Sequence, residues 1–283
     1  MEMLKLKFSL LIANYNNGYF FRNCYDSIVK QKYSNWEAVI VDDGSTDGSV
    51  EIIEKLIGND KRFRLYKNAC NSGVSATKSK LIELAAGEIC GFVDPDDALM
   101  PYAIHSAIFT YYLKRNVALT YSQYVKCDEN LCPIGIPRNL MQVLNDDPYF
   151  FNSPLHISHF VTFKKSLYER TEKIDPSLNT AEDQDLYLKL YEKGKAYFIK
   201  EPNYLYRSHL GGISQFENAS ATREEFAKVI YNAMKRRGLK EINGRSIPVE
   251  YTTSNEIYDL LKYQTGIFFR IKKKIRLLLQ KLD

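Results

Sequence analysis

The sequence predicts an α/β fold, a mostly parallel central sheet flanked by helices, followed by a helical C-terminal extension. Three observations carry that expectation. Short β-branched or aromatic runs alternate with longer helix-period segments through the first 125 residues. Several of those apolar runs break off into acidic or amide-rich loops, as strands do where the chain leaves a core. Towards the C-terminus, beyond residue 216, the patterning is helical.

Residues 8–12 read as a first strand and 14–18 as its exit loop. A helix follows through residue 31, with Phe21, Cys24, Tyr25, Ile28 and Val29 on one face. Residues 37–41 are apolar after Glu37, the pattern of a strand buried on both faces. Residues 42–47 form its exit loop, and 48–57 return as a helix in which Ser45 or Thr46 would supply the cap. A third strand at 63–66, a helix over 74–86 and a fourth strand over 89–93 complete a β-α-β-α-β-α-β order. A further helix starts near Pro101. Prolines 133, 137, 148 and 154 make 127–154 loop-rich. Helices are then expected over 164–171 and 181–192, a strand over 196–199, and helices over 219–237 and 255–281. The chain divides at these changes into 1–125, 126–216 as a second half of the same domain, and 217–283 as the extension.

A chain of 283 residues can bury a sizeable core, and 45% hydrophobic with 26% charged residues suits a soluble globular protein. Cys24, Cys70, Cys90, Cys127 and Cys132 are odd in number and scattered. They suggest neither a disulfide framework nor a zinc site, and a reducing cytoplasm fits them best. Residues 1–7 hold no apolar signal core, and no run nears the roughly 20 apolar residues of a membrane span. The net charge is +5, yet seven Lys or Arg and one Asp fall within 262–283, which leaves the body near neutral. A broadly basic nucleic-acid surface is therefore not expected.

Four polar clusters stand out. The strand over 89–93 runs into Asp94-Pro95-Asp96-Asp97. Crowded carboxylates repel unless a cation lies between them, and a hard divalent ion such as Mg2+ or Mn2+ is the natural one. A solvated acidic turn capping the next helix is the alternative. Asp42-Asp43 follow the second strand directly; acids there can accept hydrogen bonds from a nucleotide's base or ribose, whereas a simple capped turn would need only Ser45 and Thr46. Glu182-Asp183-Gln184-Asp185 open a helix. There they complement the helix dipole with Thr180 as N-cap, or mount a catalytic carboxylate rigidly. The fourth is Tyr206-Arg207-Ser208-His209 with Gly211-Gly212 behind it, which reads either as a structural segment or as a loop over a phosphate. The first, second and fourth strands end at the carboxyl edge of such a sheet, where ligands bind.

Together these motifs resemble the family 2 glycosyltransferases of the GT-A fold, bacterial enzymes of capsule, O-antigen and other surface-glycan synthesis. The resemblance covers roughly residues 7–216. Ile12-Ala13-Asn14-Tyr15-Asn16-Asn17-Gly18 is similar to the family's P-x-Y-N loop with alanine for proline. Val41-Asp42-Asp43-Gly44-Ser45-Thr46-Asp47 is similar to its V-D-D-G-S-x-D, the most specific match. Asn71-Ser72-Gly73-Val74-Ser75-Ala76 and Gly87-Glu88 precede Asp94-Pro95-Asp96, which stands where the D-x-D metal motif belongs. Glu182-Asp183 corresponds to the later E-D pair, and Tyr206-Arg207-Ser208-His209 to Y-R-x-H.

The resemblance implies that 1–125 bind the nucleotide sugar and 126–216 the acceptor. Asp43 would hold the base, with Ala13, Tyr15 and Asp42 beside it. Asp96 would bind Mn2+ or Mg2+, with His209 as a further ligand and Asp94 against the ribose or the metal shell. Lys78 takes the place of an arginine that contacts the nucleotide in the family, and Lys78-Ser79 departs from the usual Arg-Asn. Glu172-Lys173 stand where glycines commonly precede the F-D pair, here Ile174-Asp175, so the acceptor half departs too. Asp183 would be the general base of an inverting transfer from a nucleoside-diphosphate sugar, UDP-linked, to a saccharide or lipid-linked saccharide. A sugar-phosphate nucleotidyltransferase is the alternative, although 14–18 lack the arginine of its phosphate loop; a non-catalytic binding protein of the same fold is another. Ile267, Ile271, Ile275, Leu278, Leu279 and Leu282 recur at helical spacing among basic residues. Such a helix suits peripheral contact with the inner face of an anionic membrane, or packing on its own domain or in a homodimer.

Overall fold

The structure, a computed structural model, describes residues 5–209 and 219–280. Strands β1 (Phe8–Asn14), β2 (Trp36–Asp42) and β3 (Phe63–Lys67) alternate with helices α1 (Phe21–Val29), α2 (Ser49–Ile57) and α3 (Val74–Leu84). Strand β4 (Ile89–Phe92) follows, then the two-residue β5 (Ala98–Leu99), α4 (Ala103–Leu113), β6 (Val117–Cys127) and β7 (Pro133–Gly135). The second half adds β8 (Thr162–Lys164), α5 (Lys165–Tyr168), α6 (Glu182–Tyr191) and β9 (Lys195–Arg207). The extension holds α7 (Ala219–Arg236), the small hairpin β10 (Glu241–Ile242) and β11 (Arg245–Ser246), α8 (Ser254–Leu261) and α9 (Ile267–Gln280).

One sheet runs β3-β2-β1-β4-β8-β6-β9-β5, with β7 on β6. Its β3-β2-β1-β4 half is parallel, as crossover helices require. Beyond β4 it turns mixed: β8 is antiparallel to β4 and β6, β6 and β9 are parallel, and β5 is antiparallel to β9. Successive residues of β1 and β2 feed opposite faces. Leu10, Ile12, Ala38 and Ile40 pack with α1 residues Phe21 and Ile28, while Leu11, Val39 and Val41 pack with Leu81 and Ile82 of α3. Burial on both faces is why these strands read as continuous apolar runs.

Two strands exceed their sequence signals. β9 spans 13 residues, not the four expected, and β6 spans 11 where the sequence signals none. The polar stretch Lys200-Glu201-Pro202-Asn203 hides their continuity. Irregularities in the ladder at Ser122, Gln123 and Tyr124 carry it past Pro202. Position 125 thus falls inside β6, and both halves share one sheet. The helix expected over 255–281 is two helices, separated by a 3-10 turn over Lys262–Thr265 and by Gly266. Arg236 and Arg237 each approach Glu192 at 3.0 Å, which ties α7 to the end of α6. Among the described residues no helix is long and apolar enough to cross a membrane.

Candidate active site

β1 and β2 end in register, with Asn14 beside Asp42. Asn14 Nδ2 donates to Asp42 Oδ1 at 2.7 Å, and Ser45 donates to both carboxylate oxygens, from Oγ at 2.6 Å and from its amide at 2.9 Å. Ser45 Oγ in turn accepts the Asn16 amide at 2.8 Å, and Asn16 Oδ1 accepts the Thr46 amide at 2.8 Å. Buried Asp42 therefore locks the two exit loops together. Neither Ser45 nor Thr46 caps α2, whose N-cap is Gly48. Ala13 lies one residue back along β1, partly buried, and Tyr15 lies one residue beyond it, half-exposed.

Asp43 ties the same loop to the start of α3. Its Oδ1 accepts from Asn68 Nδ2 (2.7 Å), the Ser72 amide (2.9 Å) and Ser72 Oγ (2.6 Å), while Oδ2 accepts the Gly73 amide (3.0 Å). Burial alone would raise this carboxyl, but donors led by Ser72 and Asn68 hold it below its ordinary value. Gly44 must be glycine: its φ is +77°, and a Cβ would meet the Cys70 backbone carbon at 2.8 Å.

The acidic turn leaves β4 and is gripped from β9. The Asp94 amide donates to Tyr204 Oη at 3.1 Å. The Arg207 amide donates to Asp97 Oδ1 at 2.7 Å, and its Nε donates to the Asp96 carbonyl at 2.5 Å. Arg207 also lies over Phe20, 4.6 Å from the ring centre. Asp97, which the alternative reading of the cluster places in a solvated, helix-capping turn, is a buried anchor between the turn and β9. Asp96 stays partly open, and its Oδ2 lies 2.8 Å from His209 Nε2, whose ring rests on Phe20. Asp94 is pushed up to about 6 by burial, with Asp96 and Glu182 adding to the effect and Lys78 opposing it. Gly211 and Gly212 lie outside the described residues.

Glu182 and Asp183 open α6, but Thr180 does not cap it. Ala181 is the N-cap, and Thr180 is held by Glu225 of α7 at 2.8 Å. Asp183 Oδ1 accepts the Gln184 amide at 2.6 Å. Burial and the neighbouring Glu182 push Asp183 up to about 6, against the pull of Lys78. Lys78 reaches across from α3 to Glu182 Oε1 at 2.5 Å. Burial works against its charge, but Glu182, Asp183 and Asp94 outweigh that and raise its pKa. Asp94, Lys78, Glu182 and Asp183 thus form one electrostatic cluster joining β4, α3 and α6.

His159 joins the site without a sequence signal of its own. It stacks on Tyr204 (4.9 Å) and Tyr206 (5.0 Å), and burial and Lys78 hold it neutral, with its pKa near 4. A lone histidine in a loop is silent; the alternation of Tyr204 and Tyr206 along β9 is the available clue. Among the described residues no three His, Cys, Asp or Glu side chains form a ready-made cage for a metal. Asp96 with His209 is nonetheless a donor pair that suits a divalent ion bound mainly through substrate phosphates and water. Such ions take one or two protein carboxylates, and the imidazole favours Mn2+ over Mg2+.

The Pasteurella multocida chondroitin synthase and hyaluronan synthase are each 26% identical to this chain over 239 residues, which is 83% of the chain and 24% of each relative. The Escherichia coli chondroitin synthase is 26% identical over 82% of the chain and 33% of its own length. The chain therefore spans a quarter to a third of the length of these relatives. Among solved structures, Staphylococcus aureus TarS residues 1–349 in complex with UDP-GlcNAc superposes with a TM-score of 0.68 at 18% identity, covering 92% of this chain and 73% of that one. A Pyrobaculum calidifontis mannosyltransferase in complex with GDP-Man and Mn2+ gives 0.57 at 14% identity, covering 96% and 84%. These likenesses establish the fold. The family model described as glycosyl transferase family 2 matches residues 9–171, more than half of the chain, and the protein belongs to that family.

Proposed function

We propose that the protein transfers a sugar, with inversion, from a nucleoside-diphosphate sugar to a hydroxyl of a saccharide or lipid-linked saccharide in surface-polysaccharide synthesis. The observation that carries this reading is the Asp94–Lys78–Glu182–Asp183 cluster, which links the donor-side acidic turn to an enclosed carboxylate at a helix N-terminus. The relatives named for polysaccharide synthesis, and the UDP-GlcNAc complex of TarS, support a nucleotide-sugar donor and favour UDP.

Asp43 receives the base: its Oδ2 accepts the Gly73 amide and has capacity for a base N–H. Asp42 keeps the two loops in place around it, with Ala13 and Tyr15 lining the edge. Asp94 faces the ribose side, and Lys78 neutralises charge between donor and base. Asp96 and His209 would hold Mn2+ or Mg2+, which offsets the charge of a departing nucleoside diphosphate when bound. Asp183 takes the proton of the acceptor hydroxyl as that oxygen attacks the anomeric carbon, and the bond to the diphosphate oxygen breaks. Residues 1–125 serve the donor and 126–216 the acceptor.

Thermal-shift measurements with UDP and GDP, with and without Mn2+, followed by transfer assays with the matching nucleotide sugars, test the reading. A metal-dependent shift with a nucleoside diphosphate is the expected result. No shift with any of them would remove the proposal.

A further inference from the structure

Helix α9 is docked the wrong way round for a helix packed on its own domain. Its polar side touches the body. Helical spacing places Lys273, Arg276 and Gln280 on one stripe, with Lys273 Nζ 3.3 Å from His156 Nε2 and Arg276 3.4 Å from Asp147. Gln280 Oε1 accepts the Asn145 amide at 2.7 Å, and its Nε2 donates to the Val143 carbonyl at 3.2 Å. The opposite stripe is apolar and exposed: Ile267, Phe268, Ile271, Ile275, Leu278 and Leu279. Phe268 is 86% exposed, and no residue of α9 is buried. Arg270 and Lys274 lie on one shoulder of that stripe and Lys272 on the other.

We propose that this outer face of α9 docks in the plane of an anionic lipid membrane. An in-plane helix needs an apolar face that sinks to the acyl boundary and cationic shoulders that stay at the headgroups, and α9 has both. The adjoining surface continues the pattern. A groove of about 1150 Å³ beside α9 carries Lys114, Arg115, Lys195 and Lys200 from the body against one acid, and Leu279 lies on its wall. A second copy of the chain is a poorer occupant. Pairing two such outer faces would bring together the shoulder cations Arg270, Lys272 and Lys274 of each helix, with no acid in either helix. The docking does not rest on the proposed transfer reaction.

Co-sedimentation of the full chain with phosphatidylcholine vesicles, with and without phosphatidylglycerol, tests it. The protein is expected to pellet with the anionic vesicles, and less so on neutral vesicles or at high salt. Phe268→Gln, Ile271→Gln and Ile275→Gln together should weaken that binding at least about tenfold. Lys272→Gln and Lys274→Gln should each weaken it about fivefold on anionic vesicles. All these positions are exposed, so nucleotide-dependent thermal shifts should match the parent protein. Failure to pellet with anionic vesicles, equal pelleting on neutral ones, or binding indifferent to the glutamines would overturn the proposal. So would a dimer in sedimentation equilibrium that the triple variant dissociates without any vesicle binding.

Discussion

Lys78 Nζ lies 2.5 Å from Glu182 Oε1, and both side chains are largely buried, so helices α3 and α6 are joined by an ion pair in the floor of the candidate site. Removing one member of such a pair strands the other charge. Lys78→Met should therefore cost about 3 kcal/mol in urea unfolding, and adding Glu182→Gln should restore much of it. The lysine also lowers Asp94 and Asp183, so its loss should move the acid limb of the transfer rate to higher pH. Lys78→Arg should recover the limb. A limb that stays in place in Lys78→Met would reduce the pair to a structural brace.

As the proposed general base, Asp183 should set that limb in the parent protein. A general base works ionised, and its carboxyl is pushed up to about 6. The rate should be level above about pH 7 and fall as pH drops through about 6. Asp183→Asn should lower transfer by about a hundredfold to ten-thousandfold while the Kd for the nucleoside diphosphate is unchanged. Transfer that survives the substitution would reassign the base.

Much of this is legible in the sequence because the first half obeys local rules. Continuous apolar strands, crossover helices and acids at strand ends each leave a short-range pattern, and β1 to β4 form where that pattern lies. The second half depends on pairings between distant residues. β8 is three residues long, and β9 crosses Pro202 only because β6 is irregular opposite it. The site divides in the same way. Asp42, Asp43, Asp94, Asp96 and Asp183 announce themselves by position, whereas Glu182 as the partner of Lys78 and His159 between two tyrosines are facts of tertiary packing. Asp97 and Thr180 differ from expectation because nothing local shows that Arg207 and Glu225 arrive from other elements.

Asp43 combines loop-holding with its proposed role towards the base, and pH separates the two. Its pKa is depressed in the folded chain, so its stabilisation is full above the ordinary value of 3.8 and is lost as pH falls through the folded one. Asp43→Asn should cost about 2 kcal/mol at neutral pH by setting an amide against the Ser72 and Gly73 donors. Its stability should also fall less steeply than the parent's in acid. If nucleotide affinity holds despite the lost stability, Asp43 serves the loops alone.

The Asp96–His209 contact makes the most direct claim about the metal. Their side chains meet at 2.8 Å with both partly open to solvent, on a turn that Arg207 and Tyr204 hold from β9. Because the turn is fixed by its backbone and by Asp97, Asp96→Asn and His209→Ala should leave the unfolding temperature of the metal-free protein nearly unchanged. What should change is the gain from metal. Titration calorimetry with UDP should show Mn2+ tightening binding to the parent protein, and each variant should lose about tenfold or more of that enhancement. Asp97→Asn should behave in the opposite way, lowering stability while leaving the ratio of affinities with and without Mn2+ intact among molecules that fold. If Asp96→Asn keeps the full enhancement, the ion sits elsewhere and Asp94 becomes the candidate ligand.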